Sequence, residues 1–194
     1  MINISIIIPH RNSFNDLLRL LNTIPETDTI EAIVIDDKSI STTVKKLQNY
    51  RFKNNITVIY SKSNGGAGKA RNIGIDNASG KWVLFADSDD YFSDNAFSLT
   101  SEFLSNKEDV IYFGINSVTE LGHQSYRHLR YMKLIENYLS DQKYENELRF
   151  CFLAPWGKMI KRKLIEKYNL QFEEILSGED NLFSLKVASR AKEI

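Results

Sequence analysis

The 194-residue sequence predicts an α/β protein with a mostly parallel sheet flanked by helices. Three observations predict it. Short apolar runs recur at Asn3–Pro9, Ile30–Ile35, Ile56–Tyr60 and Trp82–Ala86, each too brief for a buried helix. Segments with apolar residues at helical spacing separate these runs. Polar clusters then follow the runs directly: Pro9-His10-Arg11-Asn12, Asp36-Asp37 and Asp87-Ser88-Asp89. In an open parallel sheet, ligands sit outside the carboxyl ends of the strands, so the three clusters converge on one edge.

Each element has its own justification. Asn3–Pro9 is nearly all apolar, as in a strand buried on both faces, and Pro9 is expected to stop it. Ser13 is a candidate N-cap for a helix whose face is Leu17, Leu18, Leu20, Leu21 and Ile24. Ile30–Ile35 is the second strand; Ser41 or Thr42 then caps a helix carrying Val44, Leu47 and Phe52. Ile56–Tyr60 is the third strand. Asn64-Gly65-Gly66-Ala67-Gly68 opens a helix through Ala70, Ile73 and Ile75, and Trp82–Ala86 is the fourth strand. Such alternation implies right-handed crossovers. Beyond Asp90 the pattern loosens. Ser93 caps a helix with Phe97, Leu99, Phe103 and Leu104, and Val110–Phe113 is a fifth strand. Asn116–Arg130 reads as a hairpin or exposed loop, and Tyr131–Phe152 as two short helices. Pro155 breaks helicity, and the chain runs on into a basic helix, Lys161–Tyr168. Gly178-Glu179-Asp180 opens the last helix, Asn181–Ala191.

Composition narrows the function. Hydrophobic residues make up 42% and charged residues 26%, an ordinary globular balance. Lys+Arg and Asp+Glu are equal at 25 each, which removes the electrostatic case for a nucleic-acid partner. Cys151 is the only cysteine, so no internal disulfide forms; between Phe150 and Phe152 it reads as a small core residue. The first residues lack a signal-peptide pattern and no apolar run reaches membrane-span length. A cytoplasmic location is expected, with association at the inner face of a membrane left open.

The chemistry concentrates in Asp87-Ser88-Asp89-Asp90. Carboxylates crowded at a strand end repel one another, and a hard divalent cation such as Mg²⁺ or Mn²⁺ relieves that. A solvated acidic turn is the competing reading of the four residues alone. The Gly-x-Gly-x-x-Gly of dinucleotide folds is absent after the first strand. Gly68-Lys69 is followed by Ala70, which breaks the P-loop pattern as well. Gly66 and its neighbours can admit a phosphate or sugar, or simply make a tight turn. Asp36 and Asp37 can accept hydrogen bonds from a ribose or base, or cap the next helix. Arg71 can reach a base or phosphate, or pair with Asp76. Asp180, at a helix start, suits a base or a cap. His123 and His128 read as surface residues.

These motifs together resemble family 2 inverting glycosyltransferases of the GT-A fold. The resemblance rests on Ser5-Ile6-Ile7-Ile8-Pro9-His10-Arg11-Asn12, Val34-Ile35-Asp36-Asp37-Lys38-Ser39 and Asn64-Gly65-Gly66-Ala67 with Ala70-Arg71-Asn72-Ile73-Gly74. It continues through Phe85-Ala86-Asp87-Ser88-Asp89-Asp90 to Gly178-Glu179-Asp180, with Trp156-Gly157-Lys158 between. It implies one Rossmann-like domain over 1–194, with residues 1–115 binding the nucleotide-sugar. Residues 116–194 would form a less regular acceptor and base half. It implies that Pro9, Arg11, Asp37, Gly66, Arg71, Asp87 and Trp156 line the substrate site. Asp87 and Asp89 would hold Mn²⁺ or Mg²⁺, and Asp180 would be the general base. Arg11 stands where the family usually has an aromatic residue. The implied donor is a nucleotide-sugar, UDP by family habit, and the acceptor a glycan or lipid-linked hydroxyl. A homodimer stays open. The chain ends soon after Asp180, as a catalytic domain cut from a longer protein or a small non-processive enzyme would. Two alternatives stand beside transfer. One is a non-catalytic nucleotide-sugar or glycan-binding module. The other is a nucleotidyltransferase, which the sequence after the first strand disfavours.

Overall fold

β1 (Ile4–His10) lies at the heart of the sheet, with all seven residues buried. Alternation splits its side chains between two cores. Ile4, Ile6 and Ile8 meet Leu17, Leu20 and Leu21 of α1 (Phe14–Thr23) and Leu47 of α2 (Ser41–Asn49). On the other face Ile7 belongs to a core shared with Ala70 of α3 (Gly66–Asn77), Leu164 and Ile165 of α7 (Arg162–Tyr168), and Phe183 and Val187 of α8 (Glu179–Arg190). Burying each such aliphatic chain is worth roughly 1.5–3 kcal/mol relative to exposure, so the two cores fix the sheet between its helix layers. The computed structural model describes residues 1–119, 122–123, 125–175 and 177–194.

The sheet order is β3-β2-β1-β4-β6-β5. β2 (Ile30–Asp36), β3 (Ile56–Tyr60) and β4 (Trp82–Phe85) join β1 in the expected parallel array. β6 (Lys158–Lys161), which the sequence reading ran into the following helix, is the main correction. Four residues, Lys-Met-Ile-Lys, are too few to show a period. Tertiary pairing decides their state: β6 is antiparallel to β4 and also to β5 (Val110–Tyr112). The fifth strand, expected over Val110–Phe113, forms over Val110–Tyr112 and pairs with β6.

Smaller corrections concern element ends. β1 continues through Pro9 to His10, whose carbonyl accepts from Asp37 N at 2.8 Å. α4 (Ala96–Glu102) starts after Asn95 rather than Ser93, and Phe103 and Leu104 follow its end while still packing on the core. Ser13 precedes α1 as expected, yet its hydroxyl makes no cap and meets Ser88 Oγ at 3.0 Å. Ile40 holds the N-cap position of α2, and Phe52 lies past that helix. Cys151 is exposed, not a core residue, and His128 is buried against Ser117 Oγ at 2.8 Å, not a surface residue.

Between Tyr131 and Phe152 two helices form as expected, α5 (Leu129–Ser140) and α6 (Glu145–Cys151), with a 3-10 turn at Gln142–Tyr144. Their apolar faces meet Phe152 and Ala154 in a third core. In the preceding loop Thr119 N bonds His123 O and Ser125 N bonds Ser117 O, a hairpin-like return. Glu120, Leu121 and Gln124 of that predicted hairpin or loop lie outside the described residues.

Candidate active site

The predicted acids follow the carboxyl ends of β2 and β4 and open α8, and the side chains of Asp36, Asp37, Asp87 and Asp180 already have partners. Asp36 is buried and accepts from His10 Nδ1 at 3.0 Å and Ser39 N at 3.1 Å. Burial alone would raise its carboxyl; those hydrogen bonds outweigh it and hold the pKa below the ordinary value. Asp37, also buried, accepts from Gly65 N at 3.0 Å and Gly66 N at 2.9 Å. Its carboxylate therefore shapes the glycine loop. Gly66, at φ +75, takes a backbone conformation that a side chain would strain. Pro9 is buried within β1, while Arg11 is exposed beside Asn12.

Arg71 organises the centre. It projects from α3 with 3% exposure, and its fork spans three acids. Nη2 donates to Asp87 Oδ1 at 2.7 Å; Nη1 donates to Asp180 Oδ1 at 2.7 Å and Glu179 Oε1 at 3.1 Å. The alternative pairing with Asp76 is not formed. The guanidinium also lies 5.3 Å from the centre of the Phe172 ring. Phe172 stacks on Phe183 at 3.8 Å, and both meet Phe85 edge-on. Asn72 clamps the backbone of Phe172, with Nδ2 on its carbonyl at 3.0 Å and Oδ1 accepting from its N–H at 2.9 Å. Thus α3, β4 and the start of α8 hold the Asp87 and Asp180 carboxylates on one cation.

Asp180 is the second residue of α8, and its side chain is about one-third exposed. Its carboxyl is pushed up to about 6: burial raises it, Arg71 opposes, Glu179 and Asp87 raise it, and Lys158 opposes. Asp89 is exposed. Among the described residues no set of three or more His, Cys, Asp or Glu side chains is gathered to hold a metal by itself. A divalent ion that takes one or two carboxylates and completes its oxygen shell from substrate phosphates fits this sparse donor set. Trp156, half-buried, packs its ring 5.2 Å from Tyr131 and 6.4 Å from Phe152. Gly157 follows at φ +70, where a Cβ would come within 2.9 Å of Ile115.

The glycosyl transferase family 2 profile matches residues 5–169. The chain belongs to glycosyltransferase family 2. Its match ends before Asp180. Among curated relatives, the poly(ribitol-phosphate) beta-N-acetylglucosaminyltransferase TarS of Staphylococcus aureus is 29% identical over all of this chain and 34% of its own length. The poly(ribitol-phosphate) beta-glucosyltransferase of Bacillus spizizenii is 29% identical over 98% of this chain and 30% of its own. The chain thus spans about a third of the length of these relatives. The crystal structure of S. aureus TarS 1–349 with UDP-GlcNAc superposes with TM-score 0.77 at 28% identity, covering 99% of this chain and 55% of that one. A Pyrobaculum calidifontis mannosyltransferase in complex with GDP-Man and Mn²⁺ shares the fold, with TM-score 0.62 at 16% identity over 93% of this chain and 50% of that one. The GT-A fold class is as the sequence predicts. Sequence reading missed the joint role of Arg71 and Glu179; two charged residues 108 positions apart carry no local signal of contact. It also missed the His10–Asp36 pair, which only the register between β1 and β2 reveals.

Proposed function

We propose that this family 2 chain transfers a sugar from a UDP-sugar to a hydroxyl of a glycan, lipid-linked or polyol-phosphate acceptor, with inversion at the anomeric carbon. The observation that carries this reading is the Arg71 fork, which ties Asp87 on the donor side to Asp180 on the acceptor side through two 2.7 Å contacts. A base and a diphosphate site built on one rigid cation suit an in-line displacement. TarS, whose crystal structures include complexes with UDP and UDP-GlcNAc, supports the donor class. The beta linkage in the names of two relatives supports inversion from an alpha-linked donor.

Residues of this chain would act as follows. Asp37 and Gly66 shape the floor for the nucleotide, and Pro9 and Arg11 border it. Asp87 and Asp89 would hold Mn²⁺ or Mg²⁺, which when bound offsets charge on the departing diphosphate. Asp180 takes the acceptor proton on its carboxylate as the acceptor oxygen bonds the anomeric carbon and the bond to the diphosphate breaks. Arg71 holds Asp180 Oδ1, leaving Oδ2 for the acceptor. Trp156 stands on the acceptor side. We place this activity in the cytoplasm; among the described residues no helix is long and apolar enough to cross a membrane.

Asp180→Asn is the direct test. Turnover of UDP-GlcNAc with Mn²⁺ is expected to fall by about 10²–10⁴-fold while calorimetric UDP affinity stays near wild type. Undiminished turnover would remove Asp180 as the base. Binding of UDP with no turnover in the wild type would favour the non-catalytic binding module. In the wild type, kcat/KM is expected to fall about tenfold per pH unit below about 6, because protonated Asp180 cannot accept a proton.

A further inference from the structure

Lys158 opens β6 and is only 1% exposed. A buried ammonium is costly unless paired, yet among the described residues no carboxylate lies within ion-pair distance of it. Its Nζ donates to Phe152 O at 2.9 Å and to Ser184 Oγ at 3.2 Å. It sits 5.6 Å from the Tyr112 ring centre and 5.4 Å from that of Phe152. Ser184 gives its own proton to Leu153 O at 2.6 Å, so its oxygen is free to accept from the lysine. A methionine would fill this space with no charge to desolvate. Packing therefore does not account for a lysine here.

The geometry around α8 does. Asp180 and Ser184 are four residues apart, one turn along the same helix face. The ammonium bound to Ser184 thus lies a turn beneath the Asp180 carboxyl. We infer that Lys158 is a positioning residue for the base: it fixes α8 through Ser184 and supplies a positive field that keeps the Asp180 carboxylate ionised. The inference rests on the reading of Asp180 as the base. The mutual effect of the two charges supports it, since Lys158 lowers the Asp180 pKa and Asp180 raises that of Lys158. The other groups facing Asp180 are Arg71 from α3, Asp87 beyond β4 and Glu179 from α8. Lys158 faces Tyr112 from β5, whose hydroxyl in turn feels Arg149 and Glu145 of α6.

The test follows the Asp180 carboxyl by ¹³C NMR in aspartate-labelled protein, assigned by its loss in Asp180→Asn. In Lys158→Met the midpoint is expected to rise by about half a pH unit or more. The kcat for UDP-GlcNAc turnover with Mn²⁺ should fall roughly tenfold, with UDP affinity within about twofold of wild type. An unmoved midpoint with wild-type kcat overturns the inference. Should Lys158→Met not fold, Ser184→Ala decides: a displaced midpoint in either direction supports the inference and an unmoved one overturns it. Full turnover in Asp180→Asn would instead sink the base assignment, while the titration still reports whether the lysine acts on that carboxyl.

Discussion

Two buried cations approach Asp180 from opposite halves of the chain, and they are housed in contrasting ways. Arg71, from helix α3, meets three carboxylates within 3.1 Å. Lys158, from strand β6, meets one carbonyl, one hydroxyl and two aromatic faces. The planar fork of arginine can hold several acids in fixed geometry; the compact ammonium acts as a point charge. The contrast teaches that one cation assembles the site while the other adjusts its field.

Removing each cation in turn would break or sharpen that contrast. Arg71→Met is expected to have the largest effect on stability, a loss of about 3–5 kcal/mol in chemical denaturation, because it strands charges that the guanidinium neutralises. A loss near zero would mean that the acids are held apart by other means. Asp37→Ala should cost about 1–3 kcal/mol, since Gly65 N and Gly66 N lose their acceptor. UDP affinity measured by calorimetry should fall with it.

Lys158→Met should stay within about 1 kcal/mol of wild type at pH 6, because the desolvation it relieves offsets the hydrogen bond that Phe152 O loses. Burial pulls the Lys158 pKa down from 10.5 to about 7, against the pull of Asp180. Between these values the unfolded chain keeps a proton that the folded chain lacks. Wild-type stability therefore gains from this group as pH rises through that window, and the variant falls behind by up to about 1.4 kcal/mol per pH unit. Parallel stability curves from pH 7 to 10 would contradict the lowered pKa of Lys158. Asp89→Ala, at an exposed position, is expected to shift metal-free stability by under about 0.5 kcal/mol. Its consequence should show only in calorimetry with UDP and Mn²⁺, as loss of the metal-dependent part of binding.

Much of the first four strands could be read from residues in order. The isoleucines of β1 and the run Trp82–Phe85 announce strands because each lies wholly in the core. The acids that follow β2 and β4 lie along one edge of the sheet, as parallel strands require. What local pattern cannot carry is partner choice. Asp37 looks free in sequence but is saturated by two backbone N–H groups, and Arg71 turns to α8 rather than to Asp76. β6 was missed for the same reason, as its four residues become a strand only because β4 and β5 offer unpaired edges on either side.

That insertion has a bearing on how such enzymes diversify. A strand from residues 116–194 is wedged between two from residues 1–115. Neither residues 1–115 nor residues 116–194 could close the layer alone, so no clean seam exists for recombination near position 115. Grafting a relative's acceptor specificity onto this scaffold would have to spare Lys158–Lys161 and exchange only the loops and helices hung outside it.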